Sequence, residues 1–99
     1  MDYLREKLWQ AVHSLATGDE NIQKRLEAAA HFLVRLEGKD FPDSFRSEFE
    51  AVLNELTKSP AAVTGEGTIR ATTSKLTPDA SRKLAERILD LYTRAHRDG

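Results

Sequence analysis

The chain has 99 residues, which is enough for one domain with its own core and without metal or disulfide staples. Apolar residues make up 39% of it and charged residues 31%, which excludes an intrinsically disordered chain, and the lack of cysteine excludes disulfides, thiolate metal sites and thiol catalysis. A formal net charge of −1 provides no global attraction to nucleic acid or to anionic lipid.

The first residues show neither the basic start nor the continuous apolar stretch of a signal peptide. No run approaches the roughly 18 apolar residues that a membrane span needs. We therefore expect a cytoplasmic protein with no membrane partner. No internal repeat is visible, and residues 1–99 are interpreted as a single domain.

The first two predicted helices cover residues 2–16 and 20–37. In each, apolar residues recur every three or four positions and define one face, and a glycine follows at the expected end, Gly18 or Gly38. The second helix has the wider apolar surface, so we place it at the centre of the domain. The inward residues are Leu4, Leu8, Ala11, Val12 and Leu15 in the first helix, and Ile22, Leu26, Ala29, Leu33 and Leu36 in the second.

The third and fourth predicted helices cover residues 42–57 and 77–96. Thr77 and Pro78 provide a cap and a first-turn proline for the last helix. Between these helices, residues 59–76 show no helical period and are rich in Thr, Gly and Ala. The inward residues are Phe45, Phe49, Val52, Leu53 and Leu56, followed by Leu84, Ile88, Leu91, Tyr92 and Ala95.

The sequence thus predicts an all-α fold, a compact four-helix, bundle-like domain. Short connections between the first three helices favour antiparallel neighbours. In the long connection between the third and fourth helices, the closely spaced Gly65 and Gly67 favour a short hairpin. Residues 61–64 and 68–72 have modest strand character on either side of it.

The three histidines are the first residues to test for catalysis or metal binding. The helical period places His13 and His31 on the solvent side of their helices, and His96 lies in a last turn, where the helix dipole favours a cation. No Glu-x-x-His or His-x-x-x-His pair occurs, and Gly65-Glu66-Gly67 matches neither nucleotide-binding fingerprint. We expect no catalytic residue, no metal, no cofactor and no small-molecule substrate.

The connection at residues 59–76 is the first candidate for binding, because long connections in small domains are often binding loops. A flexible linker is the alternative. If the segment is ordered, it could offer an exposed strand edge to a partner or to a second copy. The residues of that edge are Thr68, Ile69, Arg70 and Thr72.

A second candidate lies beside the core face of the first helix, where Trp9, Val12 and Ala16 form a stripe. Leu89 lies off the centre of the inward face of the last helix. Such residues are often only the rim of a core. If they meet on the surface, they form a protein-binding or homodimer patch.

Basic residues concentrate near the end of the chain, where residues 70–97 carry 7 Lys or Arg against 3 Asp or Glu. Four of them fall within an arc of about 80° on the last helix and could contact phosphate. Glu86 and Asp90 border the same face and could pair with them. The stripe consists of Lys83, Arg87, Arg94 and Arg97.

The leading hypothesis is a non-enzymatic helical protein-interaction module that binds a protein partner or itself. Its candidate contact residues are Trp9, Val12, Thr68, Ile69, Arg70 and Thr72. The alternative is a nucleic-acid-binding accessory protein that uses the basic stripe of the last helix.

Overall fold

Five helices build the protein, as seen in a computed structural model that describes residues 2–60 and 67–98, with the side chains of residues 3–60 and 67–97. They are α1 (Asp2–Thr17), α2 (Ile22–Leu33), α3 (Asp43–Thr57), α4 (Thr68–Thr73) and α5 (Pro78–Asp98), and a 3₁₀ turn covers Gly38–Asp40. The described ranges contain no strand, which confirms the predicted all-α class. Nowhere in these ranges is a helix long and apolar enough to cross a membrane.

The core is a single cluster to which all five helices contribute. The apolar stripes predicted from helical periodicity are buried, or partly buried, in α1, α2, α3 and α5. At one end of the core, the ring of Phe41 stacks on that of Phe49 with centroids 4.1 Å apart, and Phe45 meets Phe41 edge-on at 5.6 Å. Burying these large rings supplies much of the apolar area that stabilises so small a domain.

The helix α2 lies at the centre, as predicted, because it contacts all the other helices. The helix α1 packs on α2 and on α5, and α3 packs mainly on α4 and α5. Contact between α2 and α3 is slight, so the expectation that these neighbours pack as an antiparallel pair is wrong. Between these two helices the chain passes through the 3₁₀ turn at Gly38–Asp40.

The second helix ends at Leu33, not at residue 37, and Gly38 begins the 3₁₀ turn instead of closing a helix. Leaving the helix early allows Leu36 and Phe41 to be buried. The side chain of Arg46, on α3, holds the new path by donating from Nε to the Gly38 carbonyl at 2.8 Å and from Nη2 to the Phe41 carbonyl at 3.0 Å. Tertiary contacts therefore outweigh the local helical pattern.

The predicted strand at 68–72 is wrong, because these residues belong to helix α4. The hairpin's other predicted strand, 61–64, lies outside the described residues. Gly67 precedes α4 with φ of +79°, a conformation that glycine adopts without a steric penalty. The Thr72 hydroxyl donates to the Thr68 carbonyl at 2.7 Å and accepts from the Ser59 backbone N–H at 3.0 Å, which ties α4 to the end of α3.

Helix α5 begins as the sequence predicts. The Thr77 Oγ1 accepts a hydrogen bond from the Ala80 backbone N–H at 3.1 Å, and Pro78 is the first helical residue. At its other end the helix runs back along α1, since the Arg5 Nε donates to the carbonyl of Ala95 at 3.3 Å. This contact joins the start of α1 to the end of α5, so the two helices are antiparallel.

Candidate functional site

An open apolar groove of about 220 Å³ runs between α1 and α5. We call it the α1/α5 groove. Its lining is apolar apart from one carboxylate, and the small side chains Ala16 and Ala85 leave room between the two helices. The lining residues are Val12, Leu15, Ala16, Ala85, Glu86 and Leu89.

Trp9 lies on α1 one helical turn before Val12, a residue of the groove lining. It lies on the same helical stripe as Val12 and Ala16, three and seven residues earlier, and half of its surface (50%) is exposed. Its indole stacks on the His13 imidazole, with ring centroids 4.9 Å apart and planes 28° apart. A large aromatic side chain is therefore held on the surface by a stacking contact, one helical turn from a residue of the groove lining.

Leu89 provides the exposed apolar side chain on the α5 side, with 49% of its surface accessible. One turn further along α5, the Tyr92 ring packs at 4.4 Å, centroid to centroid, from the His96 imidazole. Val12 and Leu89, which the sequence placed beside the core faces of two different helices, thus line one groove. Periodicity alone could not reveal this, because it does not show which helices are neighbours.

Two of the groove residues, Ala85 and Glu86, were not predicted. The sequence signal for Ala85 is its position four residues before Leu89 on the same side of α5. Glu86 was assigned only to the border of the basic stripe. In the structure it is exposed and provides the one ionisable side chain of the groove lining.

The four candidates on α4 do not form an exposed strand edge. Ile69 and Thr72 point into the protein, with 8% and 1% of their surfaces exposed, because α4 packs on α2 and α3. Thr68 and Arg70 are exposed. The prediction that this segment pairs with a partner strand is therefore wrong, since its backbone groups are hydrogen-bonded within a helix.

Arg70 instead borders a polar cavity of about 220 Å³ between α4 and the start of α2. The side chains of Lys24 and Glu27 share this cavity, and they lie 3.8 Å apart as a weak ion pair. Asn21 is also part of the wall, but its side chain already accepts the Lys24 backbone N–H at 2.9 Å. The polar groups of this cavity are thus partly engaged with one another.

The basic stripe of α5 is partly neutralised within the protein. The Arg87 Nε lies 2.8 Å from the Glu48 carboxylate of α3, and the Arg94 Nε lies 3.0 Å from the Asp90 carboxylate. Lys83 and Arg97 are exposed. Two of the four cations proposed to contact phosphate therefore already hold carboxylates.

The three histidines lie on three different helices, His13 on α1, His31 on α2 and His96 on α5. All three are exposed, as the helical period predicted for His13 and His31. Among the described residues, no group of three His, Asp or Glu side chains has an arrangement that would hold a metal ion.

The α1/α5 groove is thus the surface that brings sequence-predicted contact residues together. No family model matches the chain, and comparisons with curated proteins and with solved structures give no significant match. The geometry of this surface is therefore the basis for a functional proposal.

Proposed function

We propose that the protein is a non-enzymatic helical protein-interaction module and that the α1/α5 groove, with Trp9 one helical turn from its lining, is its contact surface. One observation carries the proposal. The half-exposed Leu89 lines a continuous apolar groove, and the half-exposed Trp9 lies one helical turn from Val12 of the same lining, although Trp9 and Leu89 are 80 positions apart in the sequence. Exposed apolar surface of this kind is typical of sites where another protein binds.

The chemistry of the groove supports docking over catalysis. Acid–base or nucleophilic catalysis relies on several polar groups that converge on one point. The groove lining has one ionisable residue, Glu86, surrounded by alkyl side chains. In contrast, aromatic and aliphatic anchors such as Trp9 and Leu89 are the residues that dominate binding energy at protein interfaces.

Nucleic-acid binding through the α5 stripe is the second proposal, and it has weaker support. Arg87 and Arg94 would have to give up Glu48 and Asp90, or bind phosphate beside them. Like charge from these carboxylates opposes a phosphate backbone. A cytoplasmic location remains a prediction from the sequence.

The test is affinity capture from a lysate of the source organism with wild type and Leu89→Lys, each with and without nuclease. A lysine at position 89 places a charge beside the groove, so we expect at least one protein bound by wild type to be lost. Leu89 is half exposed, and the variant should therefore keep its helical circular dichroism spectrum.

Val34→Lys is the matched control, because Val34 is an exposed apolar residue (42%) next to the end of α2. The new residue is again lysine, and Val34 is not among the residues that line the groove. The proposal fails if Leu89→Lys and Val34→Lys capture the same proteins as wild type. Capture that disappears with nuclease would favour the basic stripe instead.

A further inference from the structure

We infer that the polar cavity between α4 and the start of α2 is an anion site, and that it binds the phosphate group of a small phosphate monoester. Its wall includes Gln23, Lys24, Glu27, Arg70 and Thr73. The cavity shares no lining residue with the α1/α5 groove, so this inference is independent of the proposed function.

The first observation is a buried hydroxyl without a partner. Only 2% of Thr73 is exposed, yet its hydroxyl makes no hydrogen bond to another residue in the described ranges. Four other helical threonines each donate to the carbonyl four residues earlier, and these are Thr17, Thr57, Thr72 and Thr93. Among the described side chains, the Ser81 hydroxyl alone is sealed from water without a partner, so the Thr73 oxygen must open onto the cavity that Thr73 lines. A bound ligand would satisfy this hydroxyl.

The second observation is the charge of the wall. Lys24 and Arg70 share it with one carboxylate, Glu27, so the three side chains have a net charge of +1. The Arg70 guanidinium has no hydrogen bond or ion pair with another described residue. Lys24 makes only the weak pair with Glu27 at 3.8 Å. A guanidinium that is free to bind two oxygens at once suits a phosphate group.

The start of α2 adds to this positive potential. Its first turn carries no acidic side chain, and the Asn21 side chain satisfies only the Lys24 backbone N–H. The N–H of Gln23, which also lines the cavity, has no partner within the helix because the first N–H groups of any helix lack one. Free N–H groups and the helix dipole both favour an anion at this position.

The size and chemistry of the cavity limit the ligand. A volume of about 220 Å³ is below the roughly 300–1,000 Å³ of sites for drug-sized ligands, so a phosphate with a short substituent fits better than a nucleotide. The ammonium, guanidinium, hydroxyl and backbone donors are enough for the three terminal oxygens of a phosphate monoester. Glu27 can accept a hydrogen bond from a hydroxyl of the substituent but would repel a second phosphate.

An NMR titration with glycerol 3-phosphate, and in parallel with inorganic phosphate, tests this inference at constant ionic strength. We expect saturable shifts of the Gln23, Lys24 and Thr73 backbone amides with both probes. Arg70→Gln and Thr73→Val should each raise Kd about tenfold, because each removes a hydrogen bond to a charged ligand. Glu27→Gln should lower Kd about threefold, because it removes a like charge from the wall.

Two matched variants control for charge and for fold. Arg82→Gln removes the same charge as Arg70→Gln from an exposed position outside the cavity wall, and it should leave Kd unchanged. Thr72→Val removes a neighbouring hydroxyl that is already bonded, so it should lower the urea midpoint without changing Kd. Thr73→Val should show the opposite result, because its hydroxyl has no partner to lose in the free protein.

The anion site is wrong if neither probe gives saturable shifts up to tens of millimolar, or if Thr73→Val leaves Kd unchanged. Equal weakening by Arg70→Gln and Arg82→Gln would also overturn it, since net charge would then explain the binding. Vesicles of phosphatidylcholine with phosphatidic acid carry the same phosphate chemistry on a lipid. Cosedimentation with these vesicles, without binding of glycerol 3-phosphate, would contradict a small free ligand.

Discussion

Gly18 shows how a side chain from the next helix can determine which residue type fits at one position. The side chain of Arg25, on α2, closes the end of α1 by donating from Nη1 to the Leu15 carbonyl at 3.0 Å and from Nε to the Glu20 carbonyl at 2.9 Å. A Cβ on residue 18 would lie 2.5 Å from the Arg25 Cγ and 3.0 Å from the Ser14 carbonyl oxygen. The sequence predicted a helix end at Gly18, but the reason for glycine there is this close approach.

Gly18→Ala should therefore destabilise the protein, by about 1–3 kcal/mol as for other overpacked positions. The measurement is urea unfolding followed by circular dichroism. In an Arg25→Ala background the same substitution should cost less, because the closest contact has been removed. An equal cost in both backgrounds would show that Arg25 is not the cause.

At the scale of elements, periodicity was sufficient for the four long helices but not for α4. Three threonines and an isoleucine within six residues favour a strand by propensity, and six residues are too few to form a stable helix alone. The helix forms because Ile69, Ala71, Thr72 and Thr73 are buried against α2 and α3. For the same reason the early end of α2 was not predicted: it depends on Arg46, which follows it by 13 residues.

Thr72→Val tests this account of α4, since valine keeps the shape of threonine and removes the hydroxyl. The Ser59 N–H would lose its 3.0 Å acceptor in a partly buried position, so we expect a loss of about 1–2 kcal/mol in the free energy of unfolding. Thr17→Val is the control, because Thr17 is exposed and its hydroxyl bonds only within its own helix. Equal effects of the two substitutions, measured by urea unfolding, would contradict a tie between α3 and α4.

At the scale of the whole molecule, the candidate site depends on which helices become neighbours. The sequence marked Trp9, Val12 and Leu89 as apolar residues beside the core faces of two helices. It could not show that the first and last helices are adjacent, because that depends on how all the helices pack around α2. It also placed Ile69 and Thr72 on a binding edge, although the fold uses them in the core.

The packing of the helices also predicts how strongly the basic residues near the end of the chain bind to heparin. Glu48 reaches Arg87 from another helix and Asp90 holds Arg94, so charge that looks available in the sequence is partly neutralised by the fold. Combining Glu48→Gln with Asp90→Asn should release both cations, and the variant should elute from heparin at higher salt than wild type. The control combines Asp19→Asn with Glu20→Gln, which makes the same change in net charge at two exposed carboxylates outside α5. Release of the two arginines is the expected cause of the stronger retention, so the control should elute at lower salt than the Glu48/Asp90 variant. Elution of both at the same salt concentration would show that net charge alone determines retention.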